Sequence, residues 1–187
     1  MLIPFTTEWR RERERSRRAS AFVEAVRREP AESDAQWLAA AASREDRDHA
    51  AWELRYARWA LAALSAQRDA LDDRTGSDVV AALVAALRAD PGIDPAMVAL
   101  AERQFNDRLS GYREALNARG GAVGSAERLG RVLLAFASDG ARSAGAPLPR
   151  AVQLLATYLT EINEALRAVY GVASLPEHLP PSESVTH

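Results

Sequence analysis

Residues 43 to 74, SREDRDHAAWELRYARWALAALSAQRDALDDR, run for 32 residues without a Gly or a Pro, although both punctuate the chain elsewhere. Ala50, Leu54, Ala57, Leu61, Leu64 and Leu71 recur at helical spacing, and a second row, Trp52, Tyr56, Trp59, Ala63, Ala66 and Ala70, runs beside them. Two adjacent apolar rows are wider than one neighbour can cover, so the spacing predicts a helix packed against two or more others. At about 1.5 Å per residue it would run roughly 48 Å. The fold expectation follows: all-α, an antiparallel up-and-down helical bundle of about five main helices around this central one.

Composition agrees. The chain has 187 residues, enough for one domain with a sizeable core, and its apolar share is mostly Ala and Leu with 6% aromatics. Small, unbranched side chains favour closely packed helices, whereas sheets draw on β-branched and aromatic residues. The net charge of −2 gives the whole molecule no basic field for nucleic acid. All 24 basic residues are Arg, which reads first as compositional bias in an Ala/Arg-rich chain. With no Cys there is no disulfide, thiolate nucleophile or thiolate metal site. The N-terminal residues lack a signal-peptide apolar core and no stretch has the length of a membrane span, so a cytoplasmic location is expected by exclusion.

Outward from the central stretch, the punctuation marks further helices. Residues 7 to 28 form the first, capped by Thr6 or Thr7 and ended by Pro30. Its start, residues 7 to 18, is nearly all charge and is expected to project, while Phe22, Val23 and Val26 dock. Ser33 with Gln36 reads as a capping box before a short helix carrying Trp37 and Leu38. Ser43 with Asp46 is a second such start, where the chain is expected to break or kink. Arg74-Thr75-Gly76 should close the central helix, with Ser77 capping the next; Asp90-Pro91-Gly92 stops that one. Asp94-Pro95 opens a helix with the stripe Val98, Ala101, Phe105, Leu109, Tyr112 and Leu116. Gly111 inside it is disfavoured relative to Ala by about 1 kcal/mol and suggests a close helix contact. Ser125 caps a helix with Leu129, Val132, Leu133 and Phe136. Pro149 opens the last, whose row Leu148, Val152, Leu155, Leu159, Ile162, Leu166 and Val169 resembles a coiled-coil seam. Residues 1 to 171 thus form one bundle domain, and 172 to 187 a flexible Pro-containing tail.

Chemistry is concentrated at the start of the central helix. Glu45, His49 and Glu53 are spaced by four beside Trp52 and Tyr56, a ligand-binding candidate set. A carboxylate–His pair can bind a metal or tune a proton donor. However, a di-iron bundle needs a Glu-x-x-His motif on two helices. The other two His, His178 and His187, lie in the tail, so no metal site and no cofactor is assigned. Surface ion pairing is the plainer reading of the three. Trp52, Tyr56 and Trp59 make an aromatic stripe that fills a core, anchors an interface or walls a pocket; Trp59 is the interface candidate. Tyr112 and Tyr158 carry the same three readings.

Residues 8 to 28 hold eight Arg and four Glu, a local charge of +4. Arg10, Arg13 and Arg17 are candidates for an acidic or phosphate-bearing partner. Interruption by Glu8, Glu12, Glu14 and Glu24 reads more simply as a self-paired solvated helix. Nucleic acid and membrane are therefore disfavoured as partners. Residues 1 to 76 also lack the tight Gly-containing turn of a helix-turn-helix reader. Nucleophile-elbow, Walker and zinc patterns are absent. The functional expectation is a non-enzymatic structural or protein-interaction module, with a protein partner or self-association through the aromatic stripe or the final seam. The alternatives are a small-molecule or metal-binding bundle and a nucleic-acid-associated regulator using the Arg-rich helix.

Overall fold

A computed structural model describes residues 6–69, 73–118, 124–138 and 147–171. Among them are seven α-helices and no strand: α1 (Thr7–Val26), α2 (Glu32–Ala41), α3 (Arg47–Asp69), α4 (Asp73–Arg88), α5 (Val98–Asn117), α6 (Ser125–Ala137) and α7 (Leu148–Tyr170). A single 3-10 turn, Pro95–Met97, leads into α5. The all-α bundle is as the sequence implies, and α3 is its axis, touching all six other helices. Ala50, Leu54, Ala57, Ala60, Leu61, Ala62 and Ala63 on α3 are fully buried, so this helix is enclosed on several sides. No helix among the described residues is long and apolar enough to cross a membrane.

Contacts fix the helix directions. Gly111 and Ala115 on α5 meet Phe136 and Arg128 on α6, so these two run antiparallel. Arg15 faces Asp78 at 3.5 Å and Arg27 faces Asp90 at 3.9 Å, so α1 runs parallel to α4. The charged start of α1 therefore lies along α4 at Arg15, while Arg10, Arg13 and Arg17 face outward.

Several local expectations are corrected. The continuous rod from Ser43 to Arg74 is not formed: α3 spans Arg47–Asp69, and Leu71 and Ala70 lie outside the described residues. The chain does break near Ser43. Asp46, rather than Ser43, caps α3, its Oδ1 accepting the His49 N–H at 2.9 Å. Ser43 is buried and donates its hydroxyl to the Ala137 carbonyl at 3.0 Å. Arg74, Thr75, Gly76 and Ser77 lie within α4. A Cβ on Gly76 would come 3.0 Å from Cγ of Gln67, so this glycine admits a neighbouring helix instead of ending one. Ser33 and Ser125 cap nothing with their side chains; Ala31 and Gly124 occupy the cap positions without a side-chain bond. Leu116 is 37% exposed, and Ala115 takes the buried place expected for it. Of the final seam, Leu155 and Ile162 are buried and Leu148, Val152, Leu159, Leu166 and Val169 are half-buried, with Leu148 and Val152 against Gly130 of α6; Ala151, Leu154 and Tyr158 complete the buried face of α7. The tail at 172 to 187 lies outside the described residues.

Candidate functional site

The sequence candidates on α3 part company. Glu45 sits in the turn before the helix, exposed and with φ 67°, a left-handed conformation held by its N–H bond to the Ala39 carbonyl at 3.0 Å. His49 is half-buried one turn into α3. Glu53 is 2% exposed, and both of its oxygens are engaged by Arg108 of α5: Nη2 donates to Oε1 at 2.5 Å and Nε to Oε2 at 3.1 Å. Glu45, His49 and Glu53 do not converge, and no group of three or more His, Cys, Asp or Glu among the described residues could hold a metal.

The aromatic stripe divides in the same way. Trp59 is 3% exposed and meets Phe105 edge-on at 6.4 Å, so it is core and not the interface residue the sequence suggests. Tyr56 is buried next to Trp52, their ring centroids 5.6 Å apart, and its hydroxyl donates to Gln104 Oε1 at 3.3 Å. Burial pushes the Tyr56 phenol up to about 12. Trp52 remains half-exposed beneath the Arg55 guanidinium, which lies 4.6 Å from its ring and also pairs with Glu29 and Asp90.

Arg108 is a residue the sequence reading missed. It lies on the same turn-to-turn face as Phe105, Leu109 and Tyr112, and a long basic side chain inside an apolar stripe was the available signal. Its guanidinium lies 5.7 Å from the Tyr56 ring and 4.7 Å from the Phe136 ring. Burial opposes its charge, but the Glu53 hydrogen bonds and charge prevail and raise its pKa.

On either side of Arg108 the surface is hollowed. One hollow, of about 310 Å³, is lined by Trp52, Tyr56, Ile93, Met97, Leu100 and Gln104. The other, of about 370 Å³, lies between α5 and α6 over Gly111, Ala115, Val132 and Phe136. On a helical wheel, Leu100, Gln104, Arg108, Gly111 and Ala115 share one sector of α5, so the two hollows follow one line along that helix. Met97 and Leu100 are 48% and 36% exposed, and with Leu116 they are the exposed large apolar residues of the described chain. Sequence periodicity passed over Met97 and Leu100 because they lie off the Val98–Phe105 stripe that faces the core.

The arginines of α1 are largely engaged. Arg17 and Arg18 share Glu14, Arg15 pairs with Glu12 and Asp78, and the Arg13 guanidinium stacks 5.3 Å from the Trp9 ring. Arg10 is exposed. On α3, Arg58 is 8% exposed, pairs with Glu161 of α7 and lies 4.2 Å from the Tyr158 ring. These contacts fasten α7 to the axis and leave no open acid–base pair at that place. No protein-family model matches the chain, and no curated protein or solved structure gives a significant match.

Proposed function

We propose that the chain is a non-enzymatic, helical protein-interaction module whose docking surface is the hollowed line along α5. The observation that carries this is the exposure of Met97 and Leu100 beside Trp52 and Ile93, when the other large apolar side chains among the described residues are mostly enclosed. Exposed apolar side chains gathered around a concavity are the usual mark of an interaction site. From Met97 to Ala115 the line runs roughly 27 Å, the length of about five helical turns. An amphipathic helix laid into such a groove presents apolar anchors three and four residues apart.

The test is selection of helical peptides from a random library against the chain, with a Met97→Glu/Leu100→Glu variant as the counter-target. Amphipathic binders that lose the variant are expected. No binders, or binders indifferent to the two substitutions, would overturn the reading. A small-molecule alternative draws on the Tyr56 hydroxyl and Gln104 amide at the edge of the first hollow, two polar groups in a mostly apolar setting. A ligand screen followed by thermal shift, with Tyr56→Phe as control, tests that alternative.

A further inference from the structure

Taking the α5 line as a docking surface, we infer that its occupant is a second copy of this chain, bound by antiparallel pairing of the two α5 helices about a two-fold axis. Three features of one helix point to a self-complementary surface. The first is a pair of exposed apolar side chains and a hollow at opposite ends of the same line: Met97 and Leu100, at the rim of the first hollow, lie near its start, and Gly111, Ala115, Val132 and Phe136 line a depression near its end. A two-fold axis that crosses α5 midway between them sets Leu100 of each copy opposite Gly111 of the other, with Met97 near Ala115. Each exposed pair then lies against the other copy's depression, and both contacts repeat by symmetry.

The second feature is the floor of the hollow. Gly111 has no side chain, which lets the Phe136 ring lie against the α5 backbone, and Ala115 has only a methyl. A Cβ at Gly111 would stand 2.9 Å from Cε2 of Phe136, so the ring already lies across the backbone and forms an apolar floor. Removal of Met97 and Leu100 from water against that floor supplies the drive for association.

The third feature is charge. Arg103 and Asp107 are exposed on the flank of the same line, one turn apart, and neither forms an ion pair or hydrogen bond among the described residues. The register that faces Leu100 with Gly111 brings Arg103 alongside Asp107 of the second copy. The two-fold axis makes two such pairs, both on the same flank of the seam. Opposite charges so placed select the antiparallel register, because a parallel two-fold pairing would carry the two Arg103–Asp107 flanks to opposite sides of the seam, where they do not meet.

Sedimentation equilibrium on the full chain, from micromolar to sub-millimolar concentration, tests the inference. Wild-type chain is expected to show a monomer–dimer equilibrium. Leu100→Glu should raise the dissociation constant at least about 30-fold, as for a central interface anchor. The charge pattern gives the sharper readout. Arg103→Asp and Asp107→Arg should each weaken the dimer, and the double variant should regain most of the loss, with helical content by circular dichroism unchanged throughout. A chain that stays monomeric across the range overturns the dimer. So does a dimer indifferent to Leu100→Glu, or singly swapped variants whose losses add in the double. A monomer that nevertheless yields groove-dependent peptides in the selection above would retain the docking surface and lose only its proposed occupant.

Discussion

Glu53 of α3 and Arg108 of α5 form a two-point salt bridge inside the bundle, with both carboxylate oxygens accepting from one guanidinium. The pair joins two residues 55 positions apart in sequence. It also holds Arg108 between the rings of Tyr56 and Phe136. Desolvating both charges offsets much of their attraction, so the pair specifies how α5 sits on α3 more than it adds net stability.

Breaking the pair from one side should therefore be worse than removing it whole. Glu53→Ala is expected to destabilise the chain by about 3–5 kcal/mol, since it leaves a buried guanidinium unpaired. Glu53→Leu with Arg108→Met should recover most of that loss. Urea unfolding of the wild type, both single variants and the double gives the cycle. Single-site losses below about 1 kcal/mol would mean that water reaches the pair.

Gly130 is where α6 and α7 approach most closely at a glycine. A Cβ there would lie 2.9 Å from Cγ2 of Val152 and 3.0 Å from Cδ1 of Leu148. Alanine's helix propensity would favour the substitution by about 1 kcal/mol, and overpacking opposes it by about 1–3 kcal/mol. Crowding from two branched side chains should win. Gly130→Ala is expected to lower the thermal midpoint, and a raised midpoint would show that α7 shifts without strain.

The turn between α2 and α3 places two non-glycine residues in left-handed backbone, Arg44 at φ 51° and Glu45 at φ 67°. Both side chains are exposed, so a glycine loses little packing there. Removing the Cβ clash relieves about 1 kcal/mol at a single position. Glu45→Gly is accordingly predicted to stabilise the chain slightly, less the greater chain entropy that glycine brings to the unfolded state. A clear fall in the urea midpoint would contradict this.

Alkaline pH should unfold the protein through its tyrosines. Burial pushes Tyr56 and Tyr158 up to about 12 and Tyr112 well above the ordinary tyrosine value. The unfolded chain releases these protons near 10.0, so above that pH the folded state holds more protons than the unfolded one. Stability is then fully present below about pH 10 and falls towards 12, by up to about 1.4 kcal/mol per pH unit for each tyrosine. Urea midpoints measured across that window should drop steeply. Tyr56→Phe and Tyr158→Phe should flatten the fall, and a slope unchanged by either would point to another titrating group.

The two ends of α5 show how far local pattern reaches. Val98, Ala101, Phe105, Leu109 and Tyr112 announced a helix and the side that it buries, because that side must recur every three or four residues whatever it packs against. The same rule misplaced the helix stop at Gly76. Glycine both ends helices and lets them touch, and only the presence of Gln67 from α3 separates those roles. It also set Glu53 with Glu45 and His49, its neighbours in sequence, when its partner came from α5.

What the amino-acid order determined by itself was the all-helical class, the position of most helices and α3 as their axis, since periodicity, capping and Pro placement act within a turn or two. Tertiary structure alone decided that Glu53 meets Arg108, that Trp59 is interior while Trp52 reaches the rim, and that Met97, Leu100 and Gly111 lie on one hollowed line. Those relations depend on the rotation and register of each helix against another. That choice is made by packing among side chains far apart in the sequence, and no local spacing encodes it.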